Sequence, residues 1–205
     1  MIILVVCSAQ LDAQRAEVDP AIADSARAAV QKLGLEMMKG NFKYSQQRMY
    51  PRWKRRLAKR MGGMVQLERQ LAAGDQQRIK LGVVVTDYRA GAPRAFFNVW
   101  RAPKIDALTG KPVMSQSGKE IIVEHWLVVV PTTTQVKLAD TQRGGKMRVL
   151  EEQSYTVAIS EKGTDEWYFL TGMKPTIQDL RSLFPSLPRD EKELGLPTSS
   201  AREIK

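Results

Sequence analysis

The sequence predicts an α+β fold in which three N-terminal helices pack on an antiparallel sheet of about five strands. Two observations carry this prediction. Apolar residues recur at helical spacing as far as Gly74, and beyond it β-branched and aromatic residues recur at every second position. The 205 residues, 43% of them hydrophobic and 26% charged, are ordinary for one globular domain.

Three amphipathic helices are predicted before Gly74. The first begins at Asp19, a favourable N-cap residue, and Pro20, and it ends at Gly40. The second lies in MYPRWKRRLAKRMGG (49–63), and the third lies in MVQLERQLAAG, with Gly74 as its C-terminal cap. Four apolar residues of the second helix recur at every fourth position and must face a core: Met49, Trp53, Leu57 and Met61.

Five strands are predicted after Gly74, with turn residues between them. The third strand, EIIVEHWLVVVP, is apolar on both faces, which a sheet covered by helices on one side only would not require. We therefore predict that a second copy of the chain covers the other face. The five strands occupy residues 78–88, 93–102, 120–131, 146–160 and 166–172.

The N-terminus begins with an apolar run at residues 2–6, followed by small and polar residues. This run is too short to span a membrane and is typical of the end of a secretory signal. A buried first strand and a lipid-modified Cys7 are the alternatives. We predict that residues 1–14 are a remnant of a signal peptide, that 15–190 form one domain and that 191–205 are a flexible tail. The expected location is the periplasm or cell envelope, or outside the cell.

The order of these elements resembles the NTF2-like cone of the cystatin-like group, in which helices pack on a strongly bent antiparallel sheet. The stretches GNFKYSQQRMYP, MGGMVQLERQL, WYFLTG and LRSLFPSLP look like those of exported bacterial NTF2-like proteins of uncharacterised function. The resemblance covers about residues 20–188. It implies a conical pocket and dimerisation through the outer sheet face. It implies no particular activity, because this fold serves enzymes and binding modules alike.

The residues that could carry catalysis are few. His125 is the only histidine, and the only cysteine, Cys7, lies in the predicted leader, so we predict neither a metal site nor a cofactor. On a two-sided apolar strand His125 is most simply a structural residue. As a catalytic residue it would act as acid or base with Asp87, while Tyr44 or Tyr88 would polarise a substrate carbonyl. The corresponding enzyme would be a cofactor-independent lyase or isomerase.

A basic surface is the second candidate site. The net charge is +10, and residues 49–63 hold six basic residues and no acid. Such a run is either a solvated helix face or a binding surface for a polyanion. With the apolar stripe turned inward, five of these side chains are left on the exposed flanks: Arg52, Arg55, Arg56, Lys59 and Arg60.

An acidic glycan, a lipid surface or a protein is the expected partner of that surface. Nucleic acid is disfavoured, because Trp53, the ring best placed to stack on bases, is needed in the core. Two functions therefore compete. One is an exported, non-catalytic binding or interaction module with a basic helical surface. The other is the lyase or isomerase, which requires His125, Asp87 and a tyrosine to meet in one cavity.

Overall fold

The computed structural model describes residues 19–104, 111–140 and 146–204. Within these ranges the chain forms an α+β fold of five helices and six strands, and every pairing between the strands is antiparallel. The predicted signal remnant at residues 1–14 lies outside the described residues. In chain order the elements are α1 (Pro20–Met38), α2 (Phe42–Gln47), α3 (Pro51–Arg60), α4 (Met64–Lys80), β1 (Val84–Ala90), β2 (Ala95–Pro103), β3 (Ile122–Asp140), β4 (Lys146–Glu161), β5 (Trp167–Phe169), α5 (Ile177–Leu183) and β6 (Ser200–Ile204).

The first helix is confirmed together with its predicted cap. The Asp19 Oδ1 accepts a hydrogen bond of 2.9 Å from the backbone N–H of Ala21, and Pro20 occupies the first helical position. This cap satisfies one of the N–H groups that have no partner within the helix. The buried side of α1 includes Ala26, Val30 and Leu33, as expected for the predicted amphipathic helix.

Four helices precede the sheet in the described part of the chain, so the prediction of three is wrong. The additional helix is α2, and α4 continues through Gly74 to Lys80, into the region predicted as the first strand. An exposed glycine costs a helix only about 1 kcal/mol, and the flanking Ala, Gln, Arg and Lys residues are good helix formers. The turn falls instead at Gly82, whose φ of 60° favours glycine. None of the described helices is long and apolar enough to cross a membrane.

The sheet is organised around the β3–β4 hairpin, which pairs from His125 with Glu161 to Asp140 with Lys146. At one end β2 pairs with β3 and β5 with β4, and we call this the near end. At the other, the far end, β1 pairs with β3 and β6 with β4. The predicted flexible tail at 191–205 thus contains the edge strand β6. The strand was not predicted because its sequence is polar and shows no apolar alternation. An edge strand is stabilised by backbone hydrogen bonds and needs no apolar face.

Helices of the same chain cover both faces of the near end. Leu127 and Val129 belong to a core with residues of α3, α4 and α5, on what we call the α3 face. Val128 and Val130 belong to a second core with residues of α1, on the α1 face. The two-sided apolar strand from which a dimer was predicted therefore has its second cover within the chain.

Substitution of the buried Trp53 tests this placement of α3. Trp53 is fully buried, and its indole N–H donates a hydrogen bond of 2.9 Å to the backbone oxygen of Thr171. We expect Trp53→Ala to lower the free energy of unfolding by roughly 3–5 kcal/mol, the usual cost of truncating a buried aromatic residue. Urea unfolding followed by circular dichroism measures it. Trp53→Phe, which keeps most of the ring, should lose less, and an alanine variant with unchanged stability would contradict this packing.

Candidate functional site

Helix α3 contains the predicted basic surface. Its buried apolar residues determine on which side of the helix each basic side chain lies. Trp53, Leu57 and Ala58 are buried in the α3-face core. Because they recur at helical spacing, the helix has one orientation on the sheet, and the basic residues occupy the remaining sides. The contacts of those residues divide them into two groups, one bonded within the chain and one exposed.

Arg56 and Arg60 belong to the first group, because both pair with the carboxylate of Asp179 in α5. Asp179 is only 4% exposed. Its Oδ1 accepts a hydrogen bond from Arg60 Nη2 and lies 3.6 Å from Arg56 Nε. Its Oδ2 accepts bonds of 3.0 and 2.9 Å from the backbone N–H and the hydroxyl of Thr176, which completes a capping box at the start of α5.

The charge of Asp179 is stabilised by these contacts. Burial raises the pKa of the Asp179 carboxyl, but the hydrogen bonds from Arg60 and Thr176 lower it by more, so the pKa lies below its ordinary value. Two of the five predicted binding residues are therefore counter-charges that attach α5 to α3. Asp179 was not predicted from the sequence, although Thr176 and Asp179 have the spacing of a capping box.

Arg52 also contacts the chain. Its guanidinium lies over the Trp100 ring, 3.6 Å from the ring centroid, and its Nη1 donates a hydrogen bond of 3.2 Å to the backbone oxygen of Leu183. Trp100 has a φ of 57°, rare for a residue other than glycine, at a β-bulge between Val99 and Arg101. The bulge lets Val99 and Trp100 both join the α3-face core, where regular alternation would send them to opposite faces.

Arg55 and Lys59 form the second group. Both are exposed, and their spacing of four residues puts them on one side of α3. Within the described ranges, the ion pairs of this helix are those of Lys54 with Glu68 and of the two arginines with Asp179. The basic surface available to a partner is therefore centred on Arg55 and Lys59. The outer part of Arg60 adds to it, because its side chain is 43% exposed.

His125 lies at the near end of β3, close to the start of α3. Its ring meets the Tyr50 ring edge-on, with 6.3 Å between the centroids, and its Nδ1 is buried without a hydrogen-bond partner among the described residues. Burial lowers the pKa of His125, and the Glu161 carboxylate and the Trp100 backbone offset only part of that effect. The ring is therefore neutral at pH 7, and it packs edge-on against Tyr50.

The other three predicted catalytic residues lie apart from His125. Tyr88 and Tyr44 pack in the α1-face core, on the opposite side of the sheet. Asp87 pairs with Gln135, ten positions along β3 from His125, which is roughly 30 Å of extended strand. The structure does not bring the four residues into one cavity. In the part of the chain that the structure describes, no three His, Cys, Asp or Glu side chains group to hold a metal ion either.

No family model matches the chain, and no characterised protein or solved structure is significantly similar to it.

Neighbouring arginines of α3 provide a matched test of the two groups. We expect Arg56→Glu to lower the free energy of unfolding by roughly 1–3 kcal/mol, because it removes a counter-charge of the buried Asp179 and adds a like charge beside it. Arg55→Glu changes the net charge equally at an exposed position and should stay within about 0.5 kcal/mol of the unmodified protein. Urea unfolding at pH 7 measures both, and equal losses would contradict the division into two groups.

The lowered pKa of His125 predicts a specific dependence of stability on pH. The folded state takes up a proton at a lower pH than the unfolded state, so the free energy of unfolding should fall as the pH drops from 7 through the unfolded value of about 6.5. The slope is at most about 1.4 kcal/mol per pH unit. The lowered pKa of the Asp179 carboxyl affects the free energy of unfolding only below about pH 5.

His125→Gln should flatten the curve between pH 7 and 5 while leaving the acid limb unchanged. Urea unfolding at closely spaced pH values measures both limbs. A variant with the same slope as the unmodified protein would show that another group titrates in this window.

Proposed function

We propose that this protein is a non-catalytic binding module whose helix α3 presents a basic surface to an anionic partner. The observation that supports this most directly is the division of the α3 cations. Arg56 and Arg60 hold the helix to α5, while Arg55 and Lys59 are exposed and pair with no acid in the described ranges. The lyase or isomerase alternative lacks the convergence of His125, Asp87 and a tyrosine that it requires.

The fixed position of α3 matters for binding. A partner that meets Arg55 and Lys59 does not have to order the helix first, because the buried Trp53 and the contacts to Asp179 already hold it. Arginine supplies a planar fork for a carboxylate, sulfate or phosphate group, and lysine supplies a compact charge. The overall charge of +10 adds a long-range attraction for the same kind of partner.

An acidic glycan, an anionic lipid surface or an acidic protein fits this surface better than nucleic acid. Binding of single strands relies on exposed aromatic rings on which bases stack. Trp53 is buried, and the guanidinium of Arg52 lies over the ring of Trp100. Neither ring next to the basic surface is therefore open to a base.

We also propose that the fold is NTF2-like and that the protein is exported. The order of the elements, helices first and then an antiparallel sheet that they cover, supports the first proposal. The apolar run at residues 2–6, followed by small and polar residues, supports the second. A homodimer through the outer sheet face is not part of this proposal, because α1 of the same chain packs on that face.

Charge reversal at the two exposed positions tests the proposed surface. We expect the double variant Arg55→Glu/Lys59→Glu to leave heparin resin at a much lower salt concentration than the unmodified protein, because each lost phosphate or sulfate contact reduces the salt dependence of binding. The melting temperature should stay within a few degrees, since exposed charges contribute little to stability.

The matched control reverses two exposed lysines outside α3, Lys80→Glu/Lys119→Glu, and changes the net charge by the same amount. It should shift elution only slightly. Equal shifts for the two double variants would mean that heparin senses only the net charge, and the proposal would then be wrong. Sedimentation with vesicles that contain anionic lipid separates a lipid surface from a glycan as the partner.

A further inference from the structure

The far end of the sheet has a polar surface on its α3 face. Strand register places two rows of neighbouring side chains there, and every member of both rows is polar or charged. We call these two rows the polar platform. The first row is Asp87, Gln135, Glu151 and Arg202, and the second is Arg89, Thr133, Gln153 and Ser200.

Part of this platform is the floor of an open groove of about 540 Å³, which residues of α1 and the end of β1 also line. That volume lies in the range of ordinary small-molecule sites. The wall of the groove is held in place by Gln31, whose side chain donates a hydrogen bond of 2.9 Å to the Tyr88 backbone oxygen and accepts one of 2.8 Å from the Ala90 N–H. These bonds also satisfy two backbone groups at the outer edge of β1, the Tyr88 oxygen and the Ala90 N–H.

Three arginines border the groove, and each has an internal partner that orients it. Glu151 Oε1 accepts bonds of 3.1 and 2.7 Å from Nε and Nη2 of Arg202, and its Oε2 lies 4.0 Å from Nη2 of Arg89. Arg89 Nε lies 2.9 Å from Asp87, and Arg27 Nε donates a bond of 3.1 Å to a β1 backbone oxygen. Because these bonds use only part of each guanidinium, further N–H groups remain for a ligand.

The charges of the groove favour a ligand with a single negative charge. Three guanidiniums and one carboxylate, that of Glu151, line the groove. Asp87 lies outside the lining but pairs with Arg89, so one positive charge is left over. Hydrogen bonds from Arg202 and Gln135 hold the pKa of Glu151 below its ordinary value, so this carboxylate stays ionised at neutral pH. Two carboxylates next to the arginines repel a multiply charged anion such as phosphate, but they accept hydrogen bonds from hydroxyl groups.

We propose that this groove binds a hydroxyl-rich carboxylate, namely an acidic sugar of the hexuronate type. The arginines hold the sugar carboxylate, Glu151 accepts hydrogen bonds from its hydroxyls, and Thr133 and Gln153 donate hydrogen bonds to the hydroxyls or accept them. The sugar is either a free monosaccharide or a unit of an acidic glycan. This site shares no residue with the basic surface of α3. The proposal of sugar binding is therefore independent of the function proposed above.

Calorimetry on the full chain tests the ligand class with four probes: galacturonate, galactose, inorganic phosphate and a galacturonate trimer. Galacturonate should bind saturably, and galactose, which lacks the carboxylate, at least about tenfold more weakly. A trimer that binds as tightly as the monomer or more tightly assigns the site to a glycan, and a trimer that binds more weakly assigns it to the free sugar. Failure of galacturonate to bind, or phosphate or galactose binding as tightly, would overturn the proposal.

Single glutamine substitutions test whether galacturonate binds in this groove. Arg89→Gln should weaken galacturonate binding about tenfold or more, because it removes a charged donor but keeps a polar side chain. Arg55→Gln, an exposed position on α3, should leave it unchanged. If Arg89→Gln lowers the melting temperature strongly, Arg27→Gln replaces it and should weaken binding to a similar degree. Loss of binding in Arg55→Gln, or full binding in both groove variants, would overturn the assignment to the groove.

Discussion

The β3–β4 hairpin is the element on which the other parts of the structure depend. Each of the other described strands hydrogen-bonds to β3 or β4, and both helical layers pack on this hairpin. At the near end all residues from 127 to 130 are apolar, so a slip of one residue would still present apolar side chains to both layers. The register has a stronger determinant at the far end, where Val136 alternates with the polar Gln135 and Lys137.

The basic residues of α3 differ in their surroundings, because some pair with groups of the same chain and others are exposed. A carboxylate as buried as Asp179 is stable only if counter-charges and hydrogen bonds replace the water that it loses. Arginine suits that task, because its planar group pairs with a carboxylate and can also lie flat on a ring, as Arg52 does on Trp100. The exposed cations Arg55 and Lys59 contribute little to stability where they stand.

The α3 face of the sheet is covered by helices at the near end and carries polar side chains at the far end. The helices that form the α3-face core pack over the near end, and the same face of the far end carries the polar platform. Side chains on a sheet are spaced regularly, and internal ion pairs hold the charged members of the platform, Asp87, Arg89, Glu151 and Arg202, in place. Such a surface can present several hydrogen-bonding groups to one ligand without first ordering them. The fold thus separates a basic helical surface from a polar groove, and either can be altered without the other.

Features that depend on near neighbours were predictable from the sequence. The spacing of Trp53 and Leu57 predicted α3 and its buried side, and alternation predicted β2 and β4 to within two residues at each end. The α2 helix, the pairing of β6, the second cover of β3 and the partner of Arg56 were decided only by the tertiary structure. Periodicity reports which face of an element is apolar. What covers that face, and which charge meets which, depends on residues far apart in the chain, as Arg56 and Asp179 are.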